Sequence, residues 1–115
     1  MSDQYIVVVT SKEMGYTAGD SQIGEKLMTI FLNTLAKEEV LPTAILFYNS
    51  GVYYTLKDAE TLEDVKALAD KGVKVLTCGM CLDYFGLDKE VPVGEVGTMG
   101  QFVDLMRKSD RIVRP

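Results

Sequence analysis

The stretch Ala44-Ile45-Leu46-Phe47-Tyr48 decides the fold, because it is a continuous run of apolar residues with no polar alternation. Aliphatic and aromatic side chains in such a run favour a β-strand, and the absence of alternation is typical of a sheet that is covered on both faces. A similar run precedes it at Tyr5–Val9, and Val73-Lys74-Val75-Leu76 predicts a third strand. The sequence therefore predicts three buried strands.

A helical pattern fills the interval between the first two strands. Apolar residues recur there every four positions and predict the buried stripe of a helix, with polar residues pointing away. The predicted inward residues are Ile23, Leu27, Phe31 and Leu35, and the outward ones are Lys26, Asn33 and Lys37. Asp20 stands where the N-cap of this helix is expected.

The rest of the chain continues the alternation of strands and helices. Thr61-Leu62-Glu63-Asp64 has the form of a capping box and predicts the start of a helix that ends at Gly72. Beyond the third strand we expect a short strand within residues 91–96, a last helix that opens at Thr98, and an edge strand at residues 111–114. The prediction is an α/β fold in one domain, residues 1–115, with a mostly parallel sheet of about five strands between two helical layers.

Composition excludes several classes of function. The net charge is −5 and the cations are scattered singly apart from Arg107-Lys108, so no nucleic-acid partner is predicted. The apolar run Tyr5–Val9 is far too short for a signal peptide or a membrane span, so we expect a cytoplasmic protein without membrane contact. The chain has no histidine, which leaves any proton transfer to cysteine, carboxylates, lysine, tyrosine or water.

Glycine-containing loops follow the predicted strands. Ligands of open α/β sheets bind beyond the carboxyl ends of the strands, and glycine lets backbone N–H groups approach a ligand closely. These loops therefore predict either a pocket for a small anion or sulfur, or ordinary turns. The candidate binding residues are Gly15, Asn49, Ser50, Gly51, Gly79, Met80 and Gly94.

Cys78 and Cys81 are the only cysteines. Cys78 falls at the end of the third strand and Cys81 where the next short helix should begin, and the unpaired N–H groups and positive dipole of a helix start favour a thiolate. No cation lies within the segment, and Asp83 brings a carboxylate that opposes ionisation. We therefore expect the thiol pKa to be lowered modestly at most.

Four interpretations of the cysteine pair stay open. The two thiols could be small buried apolar residues, since free cysteine is often buried. A structural zinc site needs about four ligands, more than two thiolates supply, so we predict no metal and no cofactor. The remaining interpretations are a dithiol redox pair, and a thiol that carries sulfur as a persulfide with the second cysteine available to resolve it as a disulfide.

The segment Cys78-Gly79-Met80-Cys81-Leu82-Asp83-Tyr84-Phe85-Gly86-Leu87 resembles the DsrE-like domain found at the C-terminus of the selenium-metabolism protein YedF. The likeness extends to FYNSGV at residues 47–52, VGEV at residues 93–96 and much of the first helix. It implies the flavodoxin-like, three-layer α/β/α sandwich of the DsrE/DsrF/TusD group, frequent oligomers, and sulfur-relay proteins that carry sulfur on a cysteine after a central strand. By this resemblance the carrier position is Cys78.

The sequence also departs from the pattern that it resembles. YedF-type chains carry an N-terminal TusA-like domain with its own cysteine, whereas this sequence begins at the first strand, so separate sulfur or selenium donor and acceptor proteins, such as a TusA-like protein, are expected as partners. Met80 stands where threonine is usual. Tyr84-Phe85 stands where many DsrE-like proteins place an arginine before the glycine, which removes a cation that could stabilise a persulfide anion.

The resulting first hypothesis is a sulfurtransferase-like carrier that forms homo-oligomers. It would hold sulfur or selenium on Cys78, with Cys81 as the resolving or supporting thiol. The alternatives are a non-catalytic binding or assembly subunit of a DsrE-like complex, and a dithiol redox protein. A reactive, accessible thiol favours the carrier, whereas two buried inert thiols favour the binding subunit.

Overall fold

A computed structural model describes residues 4–15 and 19–115. Five strands form one sheet in the order β4-β3-β2-β1-β5, and each neighbouring pair is parallel. The strands are β1 (Tyr5–Val9), β2 (Ala44–Phe47), β3 (Lys74–Cys78), β4 (Glu95–Gly97) and β5 (Arg111–Val113). The predicted α/β fold with a parallel sheet is confirmed.

Helices cover both faces of the sheet. They are α1 (Ser21–Leu35), a 3₁₀ helix (Asn49–Thr55), α2 (Leu62–Asp70), α3 (Gly79–Tyr84) and α4 (Met99–Lys108). One core cluster joins α1 and α2 to alternate strand residues such as Val7, Ile45 and Val75. The other joins α3 and α4 to the intervening residues, such as Leu46 and Leu76. Within the described residues, no helix is long and apolar enough to cross a membrane.

The third and fourth strands differ from their predicted bounds. β3 continues to Cys78, so the first cysteine is paired within the sheet, opposite Gly97 of β4. β4 is shorter and later than residues 91–96, because Pro92 lacks a backbone N–H and Gly94 has a positive φ of 73° that ends extended structure.

The buried face of α1 differs in part from the predicted stripe. Gly24, Met28, Leu32 and Leu35 face the core, whereas Ile23 and Leu27 are exposed. The prediction is confirmed for Leu35 and for Phe31, which packs partly buried against the core, and is wrong for Ile23 and Leu27. A step of four residues turns the helix about 40° past a full circle, so the first two positions of the stripe lie away from the face that the last two share. Gly24 lets α1 pack closely against the loop after β1, since a Cβ there would lie 2.9 Å from the Cβ of Glu13. The N-cap prediction is confirmed, as the Asp20 carboxylate accepts the N–H of Ile23.

The start of α2 also differs from the prediction. Thr61 precedes the helix, but its buried hydroxyl donates to the carbonyl of Tyr54 and makes no cap hydrogen bond. The expected capping box is therefore wrong, because tertiary packing takes the hydroxyl away from the helix start. The predicted end at Gly72 is confirmed: its φ is 97°, and the N–H of Val73 reaches back to the carbonyl of Leu68.

Candidate functional site

Cys78 is the last residue of β3, and its side chain lies on the face of the sheet that α4 covers. The residue is buried, with only 5% of its surface exposed. Its Sγ accepts the N–H of Cys81 at 3.4 Å and so caps α3. α3 therefore begins at Gly79, earlier than the sequence predicted, because the sulfur takes the place of the oxygen that usually caps a helix.

Cys81 lies in the first turn of α3 and is half-buried. The N–H of Asn49, just beyond β2, donates to the Sγ of Cys81 at 3.1 Å. Both cysteines are free thiols. Cys81 therefore links Asn49 to Cys78: its sulfur accepts the Asn49 N–H, and its own N–H donates to the Cys78 sulfur.

The surroundings of Cys81 raise the pKa of its thiol. Burial is the largest cause, the hydrogen bond with Cys78 adds to it, and the N–H of Asn49 opposes both. The expected lowering is thus wrong for Cys81, because desolvation outweighs the effect of the helix start. Asp83 is exposed and pairs with Lys89 at 2.7 Å, and it is not among the causes. The raised pKa keeps the Cys81 thiol protonated at neutral pH.

The loop after β2 reaches the cysteines through only one of its three candidate residues. Asn49 has a left-handed backbone, with a φ of 53°, that orients its N–H towards Cys81. The Ser50 hydroxyl instead accepts the N–H of Lys12 at 3.0 Å. Gly51 packs on the main chain of Val9, where an added Cβ would lie 2.2 Å from the carbonyl oxygen. Ser50 and Gly51 therefore hold the loop in place, and Asn49 makes the contact with sulfur.

Gly79 and Met80 lie between the two cysteines at the start of α3. A Cβ on Gly79 would come 2.8 Å from the Cγ1 of Val96, so glycine lets α3 begin against β4. Met80 is 81% exposed, and Tyr84, one turn later on the same side of α3, is 83% exposed. The cysteine pair is therefore bordered by a flexible apolar side chain and an aromatic one, both open to solvent.

The structure does not bring Gly94 and Gly15 to the cysteines. Gly94 comes before β4 rather than after it, and its backbone packs on Val75, so it lies nearer the start of the sheet. Gly15 lines a cavity of about 200 Å³ together with Arg114. That cavity lies at the ends of β1 and β5, on the other side of β2 from the cysteines. The prediction for both glycines is wrong because loop positions in the sequence do not reveal the register of the sheet.

Sequence reasoning missed Gly97, which pairs with Cys78 across the sheet. A Cβ at Gly97 would lie 2.8 Å from Cε1 of Phe102 and 3.2 Å from the Cβ of Leu76. Glycine therefore lets the buried ring of α4 pack directly beside the cysteine strand. The available signal was its place immediately before Thr98, which caps α4 through a reciprocal pair of hydrogen bonds with Gln101.

A larger groove lies between α1 and the segment that runs from the 3₁₀ helix to α2. Its volume is about 740 Å³, and its charged lining residues are Lys12, Glu25, Lys26, Asp58 and Glu60. Tyr53 forms part of the lining and stacks on Phe85, with ring centres 5.5 Å apart, just beyond the C-terminus of α3. The groove is therefore joined to the cysteine helix by one aromatic contact.

Comparison with known proteins places the chain in a family. The model of the DsrE/DsrF-like family matches residues 3–115. The chain belongs to the DsrE/DsrF-like family. No curated protein sequence matches it at a significant level.

Solved structures share the DsrE/DsrF-like fold of this chain. The crystal structure of the YchN protein from E. coli matches with a TM-score of 0.64 and 17% identity, over 97% of this chain and 99% of that one. The structure of MTH1491 from Methanobacterium thermoautotrophicum, described as a protein of unknown function, matches with a TM-score of 0.66 and 22% identity, over 98% and 100% of the two chains. At these identities the likeness establishes the fold.

The chemistry available to this DsrE/DsrF-like chain is that of its two thiols. A cysteine gains or passes on a sulfur atom when a thiolate attacks one sulfur of an S–S bond. Hydrogen-bond donors near a thiol sulfur stabilise its anion. The Cys78 sulfur has such a donor in the main-chain N–H of Cys81. Among residues 4–15 and 19–115, no group of three or more cysteine or carboxylate side chains is placed to hold a metal ion.

Proposed function

We propose that this protein is a sulfur-relay carrier that holds a persulfide on Cys78 and passes it to a partner protein. The observation that carries the proposal is the chain of hydrogen bonds from Asn49 through Cys81 to Cys78, located at the carboxyl end of a central strand in a DsrE/DsrF-like chain. The free thiols suit a reducing cytoplasm, where cysteines that are not engaged in chemistry stay reduced.

Loading is one thiolate exchange. The Cys78 thiolate attacks the outer sulfur of a donor persulfide, the S–S bond of the donor breaks, and the donor leaves as its own thiolate. The proton of the donor persulfide stays on the transferred sulfur, so charge and atoms balance. Discharge is the same step in the other direction, with the thiolate of an acceptor protein as the attacking group.

Cys81 acts beside Cys78 as a proton-bearing thiol. Its raised pKa keeps the Cys81 thiol protonated at neutral pH, so it stands beside Cys78 as a proton donor. It can also resolve the persulfide: its thiolate attacks the inner sulfur, a Cys78–Cys81 disulfide forms, and hydrosulfide leaves. A small thiol reductant then restores the two thiols.

A partner approaches from the Cys81 side of the site. Cys78 is buried and Cys81 is half-buried, while Met80 and Tyr84 beside them are open to solvent. A persulfide extends the side chain by about 2 Å, so the partner needs to reach the outer sulfur and not Cys78 Sγ itself. Methionine is adaptable in shape, which suits contact with both a donor and an acceptor.

Intact-protein mass spectrometry after incubation with a persulfide donor tests this function. Wild type and Cys81→Ser are expected to gain the mass of one sulfur atom, and Cys78→Ser is expected to gain none. A selenium donor in a parallel incubation identifies the cargo by the mass that is added. Treatment with a thiol reductant should remove the added mass.

Other outcomes assign the site differently. If Cys78→Ser loads and Cys81→Ser does not, Cys81 is the carrier. If the wild type only loses two hydrogens, the pair is a redox dithiol. If no form gains sulfur while a known carrier loads under the same conditions, the carrier proposal fails and a binding or assembly subunit of a DsrE-like complex is left.

The proposal includes association between copies of the chain through the outer face of α1. The exposed apolar residues of this face are Ile23, Leu27 and Ile30. Beside them, Lys26 lies on one wall of the large groove, and Asp58 and Glu60 lie on the other. A two-fold contact uses the same patch on both copies, so Lys26 of each copy can meet the acidic wall of the other. A second copy of this chain is therefore the proposed occupant of the α1 face.

A further inference from the structure

Asn49 has an unusual backbone for a residue with a side chain. Among the described residues, it is the non-glycine residue with a positive φ, at 53°. Asparagine enters this left-handed region more readily than most residues, but the region is disfavoured for any residue that carries a Cβ. Such a conformation persists only when the surrounding structure imposes it.

The neighbours of Asn49 impose this conformation. On one side, the N–H of Tyr48 donates to the carbonyl of Val9 at 3.1 Å. On the other, the Ser50 hydroxyl accepts the N–H of Lys12, and Gly51 packs directly on the Val9 carbonyl. The residues on both sides of Asn49 are therefore fixed to β1 and to the loop that follows it. The turn between them directs the Asn49 N–H away from β1.

The outward N–H of Asn49 meets the sulfur of Cys81 at 3.1 Å. This contact joins the loop after β2 to the helix after β3. We infer that Asn49 is a positioning residue whose left-handed backbone fixes the Cys81 sulfur and so holds the start of α3, where the N–H of Cys81 donates to the Cys78 sulfur. The inference rests on the proposed function for its biological role, since it concerns the readiness of Cys78 to attack.

The effect passes through Cys81 because this residue makes both contacts. Its sulfur accepts the Asn49 N–H at 3.1 Å, and its own N–H donates to the Cys78 sulfur at 3.4 Å. Without the Asn49 contact, the first turn of α3 loses a hydrogen bond that holds it in place, and the N–H that faces the Cys78 sulfur is positioned less well. That hydrogen bond then contributes less to the reactivity of Cys78.

The test is the rate at which iodoacetamide alkylates Cys78 at pH 7, followed by peptide mass spectrometry. Asn49→Ala is expected to slow alkylation of Cys78 by roughly fivefold, in keeping with the weakening of one hydrogen bond to the reacting sulfur. Asn49→Gly, which adopts a positive φ without strain, is expected to rescue the rate.

A double-mutant cycle separates positioning from a structural effect. In a Cys81→Ala background, the same Asn49 substitutions should leave Cys78 alkylation unchanged relative to Cys81→Ala alone, because Asn49 acts through the Cys81 sulfur. Equal slowing with and without Cys81 would overturn the inference, and so would an Asn49→Ala rate equal to that of wild type. If Asn49→Ala does not fold, Asn49→Ser is used in the same cycle.

Alkylation and sulfur loading report on different claims. A chain that loses alkylation in the Asn49→Ala variant but never gains sulfur keeps this inference and loses the proposed function. A chain that loads sulfur equally well in wild type and Asn49→Ala, with equal alkylation rates, keeps the function and loses the inference.

Discussion

Single hydrogen bonds decide how the residues of the site behave. Cys78 takes the cap position of α3, which gives its sulfur a main-chain N–H, and Cys81 takes the N–H of Asn49. The two thiols are chemically the same but have different surroundings. Cys78 is buried in the sheet, whereas Cys81 is half-buried and its pKa is raised. The difference supports separate roles for them.

Tyr54 is a second residue whose surroundings change its chemistry. Its hydroxyl donates to the carbonyl of Lys12 and so ties the 3₁₀ helix to the loop after β1. Burial raises the pKa of Tyr54 to about 12, with Glu25 and Glu13 adding to the shift. Because the pKa is higher in the folded chain, the unfolded chain loses this proton first. The stability that Tyr54 contributes is complete below about pH 10 and is lost as the pH rises towards 12.

We predict that Tyr54→Phe lowers the free energy of unfolding at neutral pH by about 1 kcal/mol, through loss of the hydrogen bond. The gap to wild type should shrink as the pH rises from about 10 towards 12, since phenylalanine has no proton to lose. Urea unfolding at several pH values measures this gap. Tyr84→Phe is the matched control, because Tyr84 is exposed and should show almost no gap at any pH. A gap for Tyr54→Phe that stays constant with pH would contradict the prediction.

At the scale of elements, the 3₁₀ helix Asn49–Thr55 is the support of the site. It begins at the residue that contacts Cys81, and its third residue, Gly51, packs on the Val9 carbonyl. Its later residues enter both core clusters, with Val52 on one side of the sheet and Tyr54 on the other. A change within this helix should therefore act on both stability and the cysteines.

We predict that Gly51→Ala destabilises the fold by about 1–3 kcal/mol, because the added Cβ would lie 2.2 Å from a backbone oxygen that cannot move freely. Thermal and urea unfolding measure the loss, and Cys78 alkylation should slow as the loop shifts. Gly100→Ala in α4 is the matched control. Its Cβ would meet nothing nearer than 3.8 Å, so that variant should be unchanged or slightly more stable. Equal stability of the two variants would refute the close contact at Gly51.

At the scale of the whole molecule, the outer face of α1 exposes apolar side chains. α1 buries Met28 and Leu32 against the sheet but exposes Ile30, which is 59% accessible, beside a groove that Lys26 lines on one side and Asp58 and Glu60 line on the other. An exposed apolar stripe with a polar border is typical of a contact surface. If the α1 face and the cysteine site are separate surfaces, association through α1 leaves the cysteines open to other partners. Sulfur loading of the Ile30→Asp variant tests this.

We predict that Ile30→Asp shifts the chain towards monomer in light scattering coupled to size-exclusion chromatography, because two buried carboxylates would face each other across a two-fold contact. Val40→Asp is the control, since Val40 is similarly exposed but lies outside the stripe. Sulfur loading of Ile30→Asp should equal that of wild type. A wild type that is monomeric at high concentration, or an equal shift in the control, would contradict the proposed contact.

Part of the fold and of the site could be predicted because it depends on local chemistry. The apolar runs at Tyr5–Val9 and Ala44–Phe47 gave the strands, Gly72 gave the end of α2, and Asp20 gave a helix cap. The inner face of α1 and the role of Thr61 could not be predicted in the same way. They depend on which neighbours arrive from distant parts of the chain.

The sequence by itself determined an α/β fold with a parallel sheet and the location of two cysteines at the end of β3, because strand composition, helix ends and chain order are local properties. Only the tertiary structure decided which groups meet those sulfurs. Register places Gly97 rather than Gly94 opposite Cys78, and the anchoring of the loop on Val9 brings the Asn49 N–H to Cys81. The physical reason is that a hydrogen bond tolerates an error of only a few tenths of an ångström in the distance between its two atoms, and packing of the whole sheet sets that distance for residues far apart in the chain.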